Sequence, residues 1–283
     1  MLPRTLFLTG LAMLAFAGNS LLCRLALGST DLDAASFTTL RLVAGALTLL
    51  IIASLRRPRG PAISGNWRGA CALFVYAAAF SLAYVQLDTG AGALLLFGAV
   101  QISMLTVGAL RREPLGARAA LGSALAAGGL LTLLLPGASA PPFYAALLML
   151  LAGLAWAWYT LLGQGSGDPL AQSTGHFWRA APLCLPFMAL NWPALNWDSL
   201  GAVYAIASGA ITSALGYALW YSVLPALRAN QAATVQLSVP VLAGLAGVVV
   251  LGEPLTPRLA LCALAILGGV AVVLSTRQPR PGA

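Results

Sequence analysis

Residues 113–134 read EPLGARAALGSALAAGGLLTLL, and residues 253–274 read EPLTPRLALCALAILGGVAVVL. A shift of 140 superposes Glu113-Pro114-Leu115 on Glu253-Pro254-Leu255, Arg118 on Arg258, and Gly128-Gly129 on Gly268-Gly269. Each stretch closes a set of five apolar segments, so the chain reads as one five-segment unit written twice. Five is odd, so the second copy enters a bilayer from the face opposite to the first. Inverted repeats of this kind are a mark of secondary transporters, which hold substrate between the repeats near the bilayer midplane.

Working outward from these stretches, ten apolar segments fill the chain. They fall at 5–27, 33–54, 68–87, 91–110, 115–135, 142–162, 173–191, 200–222, 231–251 and 257–276. Each is about 20 residues, which at 1.5 Å per residue matches a hydrocarbon core of about 30 Å. Turn signals separate them, among them Arg57-Pro58-Arg59-Gly60-Pro61, Pro136-Gly137, Gly165 to Pro169 and Asn191-Trp192-Pro193. The expected fold is an all-α integral membrane protein: two inverted five-helix repeats, 1–137 and 138–283, around a central cavity.

Composition agrees. Hydrophobic residues make up 60% and charged residues 8% of the 283, and mean hydropathy is +0.89. Soluble domains carry about 25% charged residues. Ten spans leave no length for an aqueous catalytic domain, so an enzyme is not expected. Cys23, Cys71, Cys184 and Cys262 fall in four different spans and form no CxxC or Cys/His cluster. Neither a metal nor a cofactor is expected, and the cysteines read as small packing residues.

All fifteen basic residues are arginine. With a cytoplasmic N-terminus, the inner segments carry Arg4, Arg56, Arg57, Arg59, Arg68, Arg111, Arg112, Arg118, Arg228, Arg277 and Arg280, and the outer loops carry Arg258. The positive-inside rule then places both termini in the cytoplasm of a bacterial-type inner membrane. This bias explains the formal charge of +8 without a nucleic-acid partner. The first apolar run continues through Leu27, which favours an uncleaved span over a signal peptide.

Polar and aromatic residues inside the spans are the candidate site. Tyr76, Phe80 and Tyr84 recur at i+4 in span three. Trp156 and Tyr159 share a face of span six, with Trp158 turned away. Tyr217, Trp220 and Tyr221 cluster in span eight. These rings read either as cavity lining or as an interfacial belt, with Tyr84, Trp220 and Tyr221 nearest a boundary. Asn19, Gln101, Gln236 and Ser238 are polar groups at membrane depth and need partners. Pro240 interrupts span nine and frees the Gln236 carbonyl, which makes it a candidate hinge. Arg41 in span two and Arg179 in span seven are repeat mates at a shift of 138. Burying Arg costs about 2.5–3.5 kcal/mol on insertion scales. No acidic residue lies deep in any span, so these arginines meet carbonyls, amides, hydroxyls, water or a substrate carboxylate. Structural capping or snorkelling competes with the last reading, and snorkelling is the reading for Arg24. His176, the single histidine, reads as a wall residue rather than a proton relay.

At these residues the chain resembles the drug/metabolite transporter superfamily, EamA type. The resemblance rests on the ten spans, the repeated EPL after spans four and nine, Arg in spans two and seven, and the Gly-rich fifth and tenth spans. Asn19-Ser20, Tyr84 and Trp156-Ala157-Trp158-Tyr159 are most similar to the YddG-type aromatic amino-acid exporters. The resemblance implies a basket-like bundle whose cavity is lined by spans three, four, eight and nine, among others. The expected activity is export of amino acids, aromatic and bulky apolar ones, by alternating access and without a required ion. Its substrate-binding candidates are Asn19, Tyr76, Phe80, Tyr84, Gln101, Trp156, Tyr159, His176, Trp220, Tyr221, Gln236 and Ser238. The alternative is a proton-coupled exporter of another small metabolite on the same fold. The expected partners are a small-molecule amino-acid substrate and the lipid bilayer, with a monomer as the functional unit.

The orientation makes a direct prediction. On a Cys-free background, cysteines at positions 60 and 112 should react with impermeant reagent only from the cytoplasm, and those at 31 and 198 only from outside. Cytoplasmic labelling of a cysteine at position 31 would invert the topology.

Overall fold

Capping residues cut this apolar chain into helices. Asp33, Asn66, Asp168 and Asp198 each accept a backbone N–H two or three residues ahead, at 2.6–3.0 Å, so each starts a helix with its side chain. The acids therefore gather at helix ends, where the free N–H groups need them, and the apolar stretches between run unbroken. A computed structural model describes residues 3–56, 63–110, 117–135, 140–163, 168–223, 235–236 and 238–275.

Among these residues there is no strand; they form ten helical runs joined by short connections, one of which holds a 3-10 turn at Trp192–Ala194. They are α1 (Pro3–Ser29), α2 (Ala34–Arg56), α3 (Trp67–Tyr84), α4 (Thr89–Leu110), α5 (Ala117–Leu134) and α6 (Phe143–Gly163). Then α7 (Pro169–Ala180) passes through a 3-10 turn at Ala181–Leu183 and resumes at Cys184–Leu190. The eighth run, α8, begins at Ser199–Ala207, widens to a π-helix over Ser208–Leu215 and returns to α geometry at Gly216–Val223. The last two are α9 (Ser238–Leu251) and α10 (Pro257–Ser275). The seventh run starts four residues before the span read from sequence, because Asp168 caps it. Residues 231–234 of the ninth span lie outside the described residues.

Four helical stretches are long and apolar enough to cross a bilayer: Arg4–Ser29, Ala34–Arg56, Phe143–Leu162 and Ser199–Trp220. Four shorter ones are also apolar: Thr89–Met104, Ala120–Leu133, Ser238–Leu251 and Pro257–Gly269. The outer surface carries large apolar side chains that face no protein, such as Leu47, Ile51, Leu121, Leu154, Leu245 and Leu264. Water would not tolerate so continuous an apolar coat; lipid does.

The most extensive helix contacts form a pattern that survives exchange of each run with the one five later. The pairs α5–α10, α4–α9 and α2–α7 map onto themselves. The pair α3–α6 maps onto α8–α1, α4–α6 onto α9–α1, and α2–α8 onto α7–α3, and every one of these pairs is packed. Two loop contacts obey the same exchange. The Ser64 N–H, just before α3, donates to Ala171 O in α7 at 3.0 Å. The Asp33 N–H, at the start of α2, donates to Asn196 O just before α8 at 3.2 Å.

The glycine pairs fix the α5–α10 contact. A Cβ on Gly269 would meet Gly122 O at 2.5 Å and Ala126 N at 2.7 Å, and one on Gly129 would meet the Ala265 Cβ at 2.9 Å. Gly128 and Gly268 face open space. Only the second glycine of each pair thus serves close approach, as small residues do in bilayers. Arg258 seals the same contact by donating from Nη2 to the carbonyls of Thr132, Leu133 and Leu135, the free C-terminal carbonyls of α5. Gly269→Ala should cost about 1–3 kcal/mol through overpacking, read as a lower unfolding temperature in detergent, while Gly268→Ala should leave it unchanged. Equal behaviour of the two variants would contradict this interface.

Candidate functional site

Among the described residues, helix faces from the two halves enclose a small cavity. It is lined by α1, α2, α3, α4, α6 and α8, together with Gln236. Its volume is about 30 Å³, room for about one or two waters and far below the roughly 300–1,000 Å³ of ligand pockets. The site is closed around whatever it serves.

Arg41 enters this cavity from α2 and is 2% exposed. Its Nε donates to Ser213 Oγ at 3.3 Å and its Nη2 to Tyr76 OH at 3.1 Å. Its guanidinium carbon lies 5.2 Å from the centre of the Tyr76 ring and 5.1 Å from that of Phe80. These rings favour the cation. Its Nη1 is buried with no hydrogen-bond partner. Among the described residues, no acidic side chain lines the cavity. A desolvated charge held only by neutral groups is expensive, so the geometry carries an unmet demand for an anion.

The π-helix in α8 supplies the neutral partners. One extra residue per turn moves Ser208, Thr212 and Ser213 to the inner face together. Ser208 Oγ donates to Asn19 Oδ1 at 2.8 Å, and Thr212 Oγ1 donates to the same oxygen at 3.4 Å. Asn19 Nδ2 in turn donates to Tyr76 OH at 3.4 Å. Gly209 lets the α8 backbone lie directly on the Arg41 carbonyl, since a Cβ there would be 2.2 Å from it. π-helical turns often mark functional positions.

A ladder of rings runs through the bundle beside this charge. Successive ring centres are 4.7 Å apart for Tyr84 and Phe80, 5.4 Å for Phe80 and Tyr76, 4.9 Å for Tyr76 and Trp156, 5.5 Å for Trp156 and Tyr159, and 5.3 Å for Tyr159 and His176. Tyr217 branches from Trp156 at 5.4 Å, and Phe16 joins Tyr217 to Trp220 at 6.0 and 6.1 Å.

Of the residues singled out in the sequence, Asn19, Tyr76, Phe80, Trp156 and Gln236 line the cavity, with Arg41. Tyr84, Tyr159, His176 and Trp220 stand behind them as buried supports. Tyr84 and Trp220 are thus inside the bundle rather than on its belt. Tyr84 OH donates to Thr89 O at 3.2 Å. His176 packs against the Gly65 and Gly69 backbones, away from the cavity. Gln101 is buried on α4 outside the lining, and Ser238 Oγ donates to Val235 O at 2.7 Å. The Tyr221 side chain lies outside the described residues. Pro240 sits buried in the first turn of the described α9.

Arg179 does not share the role of its repeat mate. Its Nη1 donates to Ser64 O and Gly175 O, both at 2.9 Å, and so ties α7 to the loop before α3. Arg24 is not merely extended toward a surface. It donates to the C-terminal carbonyls of α3 at Tyr84 and Val85 and pairs with Glu253 at 3.6 Å and Asp88 at 3.8 Å. Glu253 in turn accepts from the Thr89 N–H and hydroxyl at 2.8–2.9 Å, capping α4 from the other half of the chain.

Sequence reading passed over Phe16, Leu96, Phe97, Thr212 and Ser213 as lining residues. The signal for Thr212 and Ser213 was available: a small polar cluster in an otherwise apolar span. That for Phe16, Leu96 and Phe97 was not, since apolar residues fill every span.

An all-helical bundle with several long apolar helices fits a multi-pass membrane protein. Residues 143–275 match the model of the EamA-like transporter family. The chain is also 62% identical over 277 residues to an uncharacterized protein of Pseudomonas aeruginosa, covering 98% of this chain and 96% of that one. The match to the EamA-like transporter family covers a little under half of the chain and points to a membrane transporter of small molecules. A solved crystal structure at 19% identity shares the fold, with a TM-score of 0.68 and 95% of both chains covered.

The Tyr76 hydroxyl accepts from both Arg41 and Asn19, so Tyr76→Phe strips two buried donors at once. The expected loss is about 1–3 kcal/mol of stability for the unpaired groups, seen as earlier thermal unfolding of the purified protein. An unchanged midpoint would mean these contacts hold nothing.

Proposed function

We propose that this protein exports amino acids, aromatic and bulky apolar ones, across the bacterial inner membrane by alternating access. The observation that carries this reading is the closed cavity between the two halves, which joins an unpaired buried guanidinium to a sleeve of aromatic rings. The guanidinium suits an anionic group and the sleeve suits an aromatic or large apolar side chain. In this reading Tyr76, Phe80 and Trp156 contact the side chain, and Asn19 and Gln236 contribute polar contacts. Tyr84, Tyr159, His176 and Trp220 hold the lining in place, and Gln101, Tyr221 and Ser238 join the wall when the cavity opens.

The halves 1–137 and 138–283 act as inverted five-helix repeats that rock about the cavity. The exchange symmetry of the helix pairs supports this, and so does the family match, which starts at α6 and ends with α10. Both termini face the cytoplasm by the arginine bias. A cavity too small for an amino acid requires the halves to part before substrate enters, and Pro240 is the bending point we assign to α9. Among the described residues no acid lines the cavity to supply a proton site, and in this reading substrate flows down its own gradient.

Counterflow in proteoliposomes tests this reading. Labelled Phe and Trp should exchange faster than Thr, Lys or a quaternary ammonium, and the exchange should survive ionophores. Trp156→Ala should weaken aromatic substrates more than Thr, since aromatic pairing contributes about 0.5–1.5 kcal/mol beyond area. His176→Gln should keep substantial activity. Abolition by proton collapse, or an inactive but folded His176→Gln, would favour the proton-coupled metabolite exporter instead.

A further inference from the structure

The cavity is one-sided in its chemistry, and this bears on which end of a substrate it reads. Three oxygens beside Arg41 already accept hydrogen bonds. Asn19 Oδ1 accepts from the hydroxyls of Ser208 and Thr212. Tyr76 OH accepts from Arg41 and Asn19, and Ser213 Oγ accepts from Arg41. The free group is a donor, the Nη1 of a 2%-exposed arginine. The rings of Tyr76 and Phe80 flank its guanidinium and limit how far it can swing. Among the described residues no carboxylate lines the cavity to receive an ammonium group.

We propose that the site selects its substrate by the carboxylate, bound at Arg41 Nη1, and does not recognise the α-ammonium group. The substrate class is then aromatic monocarboxylates, of which aromatic amino acids are one subset. Arylpropionates and aryl-2-oxo acids belong to it; aryl-alkylamines do not. This rests on the export reading above and extends it from amino acids to aromatic monocarboxylates.

The physical argument is the sign of the field. A carboxylate entering the cavity completes the hydrogen bonding of Arg41 and neutralises a charge that otherwise stands desolvated. An ammonium entering the same 30 Å³ core meets a like charge at short range with no anion to offset it. For a zwitterion, the amino group is left to Gln236 and water, so its removal costs little.

Competition against labelled Phe counterflow by wild-type protein reads this without any variant. 3-Phenylpropionate should compete within about threefold of unlabelled Phe, and phenethylamine and phenylalaninamide should be weaker by roughly tenfold or more. Phenethylamine matching Phe while 3-phenylpropionate fails would overturn the proposal. If labelled Phe itself does not exchange, the amino-acid reading has failed, and counterflow of labelled 3-phenylpropionate then decides this one alone: exchange upholds it and silence overturns it. Arg41→Lys keeps the charge but loses the fork of donors. Where folded, it should raise the half-saturating concentration of 3-phenylpropionate by about tenfold and leave phenethylamine unaffected; equal shifts for both compounds would count against a carboxylate contact.

Discussion

A single guanidinium, buried between the rings of Tyr76 and Phe80, constrains the middle of this protein. Arg41 carries a full charge at 2% exposure and answers it only with hydroxyls and rings. Breaking such an arrangement is costly because the charge remains buried after a partner is lost. Three helices converge on it for that reason: α3 brings Tyr76, α8 brings Ser213 through its π-helical turn, and α1 brings Asn19, which joins Tyr76 to Ser208 and Thr212. The cavity that remains is the space these helices cannot fill while the guanidinium occupies the centre.

The two halves use equivalent positions for different ends. Arg41 and Arg179 correspond in sequence, yet one faces the cavity and the other ties α7 to the Ser64 loop. The Ser64–Ala171 and Asp33–Asn196 contacts correspond under exchange of the halves, one at the start of α2 and the other beyond its end. Cross-half ties such as Glu253 on the N-terminus of α4 and Arg258 on the C-terminus of α5 bind the units at their rims. The centre, by contrast, shows no ion pair among the described residues and is joined by the hydrogen bonds of Arg41 and Asn19 and by ring contacts.

Much of this was legible in the chain because lipid makes polarity conspicuous. Asn19, Arg41, Tyr76 and Trp156 stand out in apolar spans, and all four meet at the cavity. The α5–α10 crossing was legible from the repeated glycines, whereas the span read from 173 missed the start of α7 that Asp168 caps. Other features were hidden for definite reasons. The π-helix shifts side-chain directions over Ser208–Leu215, so regular helical spacing misjudges which residues of α8 face inward. The capping of α4 by Glu253 joins residues 164 apart, and no local motif announces it. Tyr84 and Trp220 lie near the ends of their apolar runs and read as belt residues, yet neighbouring helices bury both. Gly128 and Gly129 look alike in sequence, and only the direction of the helix face separates packing from open surface.

The central claim is that the space beside Arg41 receives the carboxylate of a ring-bearing substrate. A structure of the protein with phenylalanine bound tests it most directly. The account predicts a carboxylate oxygen about 2.7–2.9 Å from Arg41 Nη1, with the ring against Tyr76 and Trp156. A bound molecule whose carboxylate points away from Arg41, or whose ammonium group faces it, would contradict the account.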